Sequence, residues 1–404
     1  MLILHIDMDT FYVSCERLKK PWLSNKPVIV GGPLRRRGVV ASASYEARKF
    51  GIKAGMAIDY AHRLCPEAII IQPDLPFYEA YSKKIYEILR HFSPIVAMTS
   101  IDEGYLDITG TEKLFGEPLQ LGRKIKEAIR KLGLPSTVGI AKNPTLAKIA
   151  TRIAKPDGLF YLPKGKEEDY LASVPVETIP GIGEKNSLIL KGAGIKTIGD
   201  FLKAEITTLN RLMGKWAEKL RKNLTEEKGL EIRERPKSIG RSITLLKDTR
   251  NLEILERTLY ELLKEAASEL REWQEQATII TIRIRFEDFA TITQRQKIFP
   301  TDAHQLIFPK AKELLHSLIK KRDEKVRLIG ITLSGFTTYP FQLSLFLPPE
   351  REITLQRLNK TLDQIRKKLG EDKVQEGRIF RNEKREGKPL IPYRQIYQRD
   401  KTNF

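Results

Sequence analysis

The sequence predicts an α+β chain of several domains, in which two strand–helix–strand–strand–helix–strand units flank a helical segment. Three observations carry this. At 404 residues the chain exceeds what one ordinary core supports. Between residues 1 and 163, with an insertion at 19–75 set aside, apolar runs of period two and period 3.6 follow one another in that order. The same order returns over 238–336, after a glycine-punctuated helical stretch at 164–228.

The first unit opens on an apolar run, Leu2 to Ile6, that delivers Asp7-Met8-Asp9 and then Thr10-Phe11-Tyr12. Period two puts Asp7 and Asp9 on one face with the Met8 carbonyl between them. Residues 10–20 form a helix with Phe11, Tyr12 and Val13 near its start. A second acidic group, Ser100-Ile101-Asp102-Glu103-Gly104, lies between the apolar runs Pro94 to Met98 and Tyr105 to Ile108. That pattern is a hairpin over 95–109. In a split βαβ unit its strands bring Asp7 beside Asp102 and Glu103. Carboxylates at the ends of apolar strands need a cation or donors to offset their burial. An oxygen-only set from two strands suits Mg²⁺, and phosphoryl transfer commonly uses two such ions. Each motif alone also reads as a solvated strand-end loop.

In the insertion, Val28 to Val30 is a strand, and residues 31–38 are a turn carrying Arg35, Arg36 and Arg37. Val39 to Ala43 gives a strand of small side chains, and a short helix from Ser44 breaks at Gly51. Tyr45 and Arg48 share its face. Such a pair can cradle a phosphate chain, and a plain surface Arg stacked on a Tyr fits equally. Helices follow at 77–91, through Tyr81, Ile85, Ile88, Leu89 and Phe92, and at 119–131. Thr137 to Ile140 is a strand. Asn143-Pro144 caps a helix buried through Leu146, Ile149 and Ile153. Lys155 ends that helix, where the dipole suits a cation; the alternative is an ammonium reaching a triphosphate.

Over 164–228, Pro180-Gly181-Ile182-Gly183-Glu184-Lys185 resembles a helix-hairpin-helix turn. Glycines there let backbone N–H groups approach a phosphate, whereas a helix bundle without ligand is the plain alternative. Residues 229–238 are charged, contain proline and lack an apolar period, as a linker does. In the second unit Leu252, Leu255, Leu259, Leu262, Leu263 and Ala266 stripe a helix. The strand Thr278 to Phe286 sets Ile280, Ile282, Ile284 and Phe286 against Thr281, Arg283 and Arg285. Thr291, Thr293, Arg295 and Lys297 occupy one face of its partner. Arg241 falls in a basic stretch, 233–250, suited to lying along a phosphate backbone. Beyond Phe336, Phe341 to Pro349 is an apolar segment outside any domain, suited to docking in a partner's pocket. Residues 350–369 form an amphipathic helix ahead of a basic tail.

The net charge is +20, with residues 1–160 carrying +8 and the remainder +12. Such an excess favours a polyanion, nucleic acid first, against both halves. No run resembles a membrane span or a signal peptide, and two cysteines exclude a disulfide framework or zinc cluster. A cytoplasmic monomer is expected.

The strings HIDMDTFYVSCE, VVASASYEARKFGIKAGM, SIDEGYLDIT, STVGIAKNPTLAKIATRIAKPDGLF, IPGIGEK and VRLIGITLSGF resemble the Y-family translesion DNA polymerases, the DNA polymerase IV group among them. They span the order and most of the length of residues 1–340. The resemblance implies a right-hand polymerase: palm at 1–18 and 76–163, fingers at 19–75, a helical thumb at 164–228, and a little finger at 239–340. It implies a template-directed, low-fidelity enzyme without proofreading, acting on primer-template DNA and deoxynucleoside triphosphates. Asp7, Asp102, Glu103 and the Met8 carbonyl match ligands of two Mg²⁺ ions. Tyr45, Arg48 and Lys155 match triphosphate-binding residues, and Tyr12 matches the steric gate against ribose. Asp9 matches no metal ligand. Gly181, Gly183 and Lys185 of the thumb, with Arg241, Arg283, Arg285, Arg295 and Lys297 of the little finger, are expected to contact DNA. Ala41, Ala43 and Gly55 would roof the nascent base pair. Gly104 departs from the family's usual alanine. Gln342, Leu343, Leu345 and Phe346, within QLSLF, resemble the peptide that holds a bacterial-type sliding clamp. The rival readings are a template-insensitive dCMP transferase, a palm-fold nucleotide cyclase and a non-catalytic DNA-binding scaffold.

Overall fold

The computed structural model describes residues 1–33, 37–231, 236–338 and 349–370. Two compact units divide the chain inside the expected linker, one within residues 1–231 and the other within 236–370.

The first unit is built on β1 (Ile3–Met8), whose Ile3, Leu4, His5, Ile6 and Met8 are all buried. A strand covered on both sides must be central, and its neighbours show that it is. After the helix Phe11–Lys19 the chain leaves to form a small sheet of β2 (Val28–Gly31), β3 (Val40–Ala43) and β4 (Ile69–Ile71), ordered β3-β2-β4. The third of these was not expected from the sequence. The helix Leu75–Arg90 returns the chain to the hairpin β5 (Val96–Met98) and β6 (Glu103–Asp107). The helix Pro118–Arg130, β7 (Ser136–Ala141), the helix Pro144–Ala154 and a short β8 (Leu159–Tyr161) complete it. The sheet order is β5-β6-β1-β7-β8, with β1 antiparallel to both β6 and β7. This is the expected split βαβ unit with one added edge strand.

Packing sets where the helices lie. Leu4, Ile6, Val13, Ile85, Leu89, Leu121, Ile125, Val138 and Ile140 share one core, which Val28 and Val30 of the small sheet join. On the other side Ile3, Leu146 and Ile149 pack with Ile179, Ile182, Leu190 and Phe201 of the helical stretch that follows. The expected burial of Ile153 is corrected: it is 39% exposed, one turn past Ile149 near the helix end. Gly139 brings the helix Pro144–Ala154 unusually close to β7. A Cβ at Gly139 would lie 2.2 Å from the Thr151 backbone nitrogen, so only glycine permits this approach.

The second unit is a sheet of β9 (Ser238–Thr249), β10 (Glu275–Phe286), β11 (Thr291–Thr301) and β12 (Val326–Thr338), ordered β11-β10-β12-β9. The helices Leu252–Glu272 and His304–Ile319 cover its apolar face, burying Leu255, Leu259, Leu263, Ile307 and Leu315 against Ile280, Ile282 and Ile284. Leu252, placed in the stripe by its spacing, is exposed at the first helical position. The expected amphipathic helix is present at Pro349–Leu369 and belongs to this unit. Asp363 accepts bonds from Arg271 (2.6 Å) and Ser268 (3.2 Å), and Asn359 exchanges amide bonds with Gln305 at 2.9 Å.

Candidate active site

The site forms where β1 runs out. In the β1–β6 register Asp7 stands directly opposite Glu103, and Asp102 precedes Glu103 in the turn. The Met8 N–H donates to the Asp102 carbonyl at 2.8 Å, tying the turn to the strand end. Ser100 builds that turn: its hydroxyl oxygen accepts from the backbone N–H groups of Asp102 (3.2 Å) and Glu103 (3.0 Å), and it donates to the Asp102 carboxylate. The missing methyl of Gly104 has a visible counterpart, since a Cβ there would lie 2.7 Å from Met98 Sδ. The methionine sulfur occupies that space.

Two lysines meet the carboxylates. Lys155 Nζ lies 2.5 Å from Asp7 Oδ1, and Lys148 Nζ lies 2.7 Å from each Glu103 oxygen. Burial nevertheless raises the Asp7 pKa to about 6; Lys155 offsets part of this, while Asp102 and Glu103 add to it. Burial likewise raises Asp102, against the Ser100 hydrogen bond. For Glu103 burial acts upward too, but His5 and Lys148 outweigh it and hold the group well below the usual carboxylate range. His5 itself is buried behind Glu103, its Nε2 3.6 Å from Oε2 and its Nδ1 2.9 Å from the Thr151 hydroxyl. Among the described residues no three His, Cys, Asp or Glu side chains are gathered closely enough to hold a metal ion. The donor set still fits a hard cation: oxygen only, desolvated, mutually repelling, and met by two ammonium groups.

Asp9 keeps to the face that strand alternation predicts, since its carboxylate bonds Thr137, which stands opposite Asp7 in the β1–β7 register. β1 ends at Met8 and Thr10 takes a left-handed backbone (φ 45°), and Asp9 between them is only 1% exposed. Its carboxylate accepts from the Thr137 hydroxyl (3.0 and 2.9 Å), the Asp157 N–H (2.8 Å) and the Tyr45 hydroxyl (3.2 Å). Losing that acceptor would strand buried donors, at about 1–3 kcal/mol each. Asp9 therefore ties Tyr45 and the turn after Lys155 to the end of β1.

Tyr45 and Arg48 do share a face. The Arg48 guanidinium lies over the Tyr45 ring at 5.1 Å, and its Nε donates to the Ala43 carbonyl at 3.0 Å. Tyr12 is half-buried and stacks on Tyr78 at 4.6 Å with 16° between planes. Tyr78 is anchored by its hydroxyl to Glu16 at 2.8 Å. Burial raises the Tyr12 pKa, with the Asp102 charge adding to it, which marks the ring as a neighbour of the acids. Of the expected roof, Ala41 and Gly55 are exposed but Ala43 is buried in the small-sheet core. Arg35 and Arg36 lie outside the described residues.

In the helical stretch, Gly181 takes φ +99° and Gly183 caps the helix Glu184–Gly192, with Lys185 in its first turn. A Cβ at Gly183 would meet nothing within 4 Å, so no internal contact demands glycine there. In the second unit the open sheet face pairs Thr281 with Arg295, Arg283 with Thr293, Arg285 with Thr291, and Ile279 with Lys297. On the other side β12 contributes Leu328, Gly330, Thr332 and Ser334 to the same rows. No acid stands among these positions. Phe299, which pattern reading passed over, continues the face and is 54% exposed. Arg241 is corrected. It sits on the helix-facing side of β9 with Ile239 and Leu245, its side chain 10% exposed and paired with Glu269.

The comparisons with known proteins agree with this arrangement. The sequence profile of the impB/mucB/samB family matches residues 6–152, and that of its C-terminal domain matches residues 236–345. The chain is 39% identical over 383 residues to DNA polymerase IV of Dehalococcoides mccartyi (strain CBDB1), covering 94% of this chain and 97% of that one. It is 34% identical over 400 residues to DNA polymerase IV of Clostridium kluyveri, covering 95% and 99%. A Y-family DNA polymerase chimera of Dbh and Dpo4 superposes with a TM-score of 0.76 at 31% identity, over 84% of this chain and all of that one. DinB from Sulfolobus solfataricus gives a TM-score of 0.59 at 31% identity, over 83% and 98%. A right-hand architecture, three acids at the end of a split βαβ sheet and relatives matched over nearly their whole length place the chain in the impB/mucB/samB family, the Y-family translesion DNA polymerases, enzymes of template-directed, low-fidelity DNA synthesis that use divalent metal.

Proposed function

We propose that the first unit adds deoxynucleotides to a primer 3′-hydroxyl, with Asp7, Asp102, Glu103 and the Met8 carbonyl holding two Mg²⁺ ions. The observation that carries this is the direct register of Asp7 against Glu103 with Asp102 beside them. When bound, the ions lower the pKa of the attacking hydroxyl and neutralise the triphosphate and departing pyrophosphate. Tyr45, Arg48 and Lys155 share the remaining phosphate charge. Lys155 already lies against Asp7, so it moves only a short way to a phosphate beside the acids. Tyr12 packs against the sugar. Chelation should stop addition and leave primer-template binding intact, and the restored rate should rise with more than first-order dependence on Mg²⁺. A strictly first-order dependence at every triphosphate concentration contradicts the two-ion assignment.

Gly181, Gly183 and Lys185 in the first unit, and Arg283, Arg285, Arg295 and Lys297 in the second, meet the DNA backbone. The charged residues of that hydroxyl-rich sheet face are all basic, which supports this; Arg241, paired with Glu269, is left out. Neutralising those four basic side chains should weaken binding almost equally across sequences. The slope of log K against log salt should fall by about one for each phosphate no longer neutralised. An unchanged slope would show that the face is merely solvated.

Gln342, Leu343, Leu345 and Phe346 lie outside the described residues. We assign them to a sliding clamp of bacterial type on their sequence alone, in a protein that acts as a cytoplasmic monomer. The two free, buried cysteines suit a reducing compartment. Scrambling residues 342–346 should leave synthesis on short primers unchanged and abolish stimulation by the clamp. Undiminished clamp binding by the scrambled chain would make the segment structural.

A further inference from the structure

Lys148 has no part in the roles assigned above, yet it makes the closest polar contact that Glu103 has. The helix Pro144–Ala154 is pressed onto β7 at Gly139, which fixes how far its side chains reach. From it Lys148 reaches Glu103, and Lys155, seven residues on, reaches Asp7. Seven residues are about two helical turns, so the two ammonium groups leave one side of the helix. Their two carboxylates face each other across the β1–β6 pair. Each acid thus has its own resident cation.

The two contacts differ in kind. Lys155 touches one oxygen of Asp7, and its side chain is 32% exposed. Lys148 spans both oxygens of Glu103 at 2.7 Å, with Thr99 Oγ1 donating to Oε1 at 3.1 Å and His5 behind Oε2. A carboxylate so occupied cannot turn the same lone pairs to a metal ion without giving up the ammonium.

We propose that Lys148 is the resident counter-ion of Glu103 and competes with the catalytic metal for it, setting the metal concentration at which the site fills. The proposal rests on Glu103 being a metal ligand. By linkage, a contact that stabilises the metal-free site and must be surrendered on binding weakens binding by the same factor. Lys148 therefore offsets the charge of Glu103 beside the other two acids before substrate arrives, and in doing so raises the metal requirement.

The test is calorimetric titration of the whole chain with Mn²⁺, without DNA, alongside melting curves at several Mn²⁺ concentrations. Lys148→Met should bind Mn²⁺ about tenfold more tightly than the parent. It should also melt lower without metal and gain more from Mn²⁺ than the parent does. Lys148→Gln provides a second neutral variant should the first fold poorly, and Lys148→Arg, which keeps the charge, should bind like the parent. Unchanged or weaker Mn²⁺ binding in both neutral variants overturns the counter-ion role while leaving Glu103 a ligand. Parent-like Mn²⁺ binding by Glu103→Gln overturns the ligand assignment, and the proposal with it.

Discussion

Replacing Asp102 with alanine should slow nucleotide addition by about four orders of magnitude, some 5–6 kcal/mol of transition-state stabilisation, while primer-template affinity stays within a few-fold. Asp102 is desolvated, and its turn is held by Ser100 through bonds to the Asp102 and Glu103 backbone that do not require its carboxylate. The turn should therefore survive the change. Glu103→Ala should act similarly on rate. Asp7→Asn adds a second, opposite signature. Burial raises its pKa to about 6, so between roughly pH 4 and 6 the folded chain holds a proton that the unfolded chain releases. Stability consequently falls as pH rises through that window. Above pH 6 the ionised carboxylate weakens the metal-free fold, and Lys155 is exposed enough to find water if its partner is removed. Asp7→Asn should thus be inactive yet more stable at pH 7 by about 1–3 kcal/mol, the pattern of a residue kept for function. Urea melts at pH 5 and 7 check this. A variant destabilised at both pH values would make Asp7 a structural residue.

Tyr12→Ala should raise ribonucleotide relative to deoxynucleotide incorporation by about 10²-fold, the scale on which an apolar wall discriminates a single hydroxyl. The Tyr12 ring lies flat on Tyr78, which Glu16 holds in place. A side chain clamped on one face cannot retreat from a 2′-hydroxyl on the other. Because Tyr12 is only half-buried, the truncation should cost about 1–3 kcal/mol of stability, less than for a fully buried aromatic. The ratio of kcat/KM for the two sugars separates gating from packing. Equal losses for both sugars with a lowered melting temperature would mean that the ring is packing alone.

The split βαβ sheet was legible because its apolar runs change period cleanly and end in acids. Pairing Asp7 with Glu103 needed only that topology. The misreadings have local causes. Charge alone misplaces Arg241, which shares parity with Ile239 and Leu245 and so faces the helices. Ile153 kept the helical period but lies where the helix leaves its neighbours. Other features left no local trace. Lys148 looks like any lysine on an amphipathic helix, and its partner is 45 residues away. His5 sits in an apolar run and bonds Thr151, 146 residues on.

The most direct test of the central claim is single-turnover insertion on four primer-templates that differ only in the templating base, with Mg²⁺ as the metal. The parent and Asp102→Ala are compared on the same annealed DNA, whose binding is measured separately. The parent should insert the complementary deoxynucleotide on each template, with frequent mispairs, and Asp102→Ala should bind the DNA but insert about four orders of magnitude more slowly. Extension by Asp102→Ala at a rate near that of the parent would contradict the assignment of the three carboxylates.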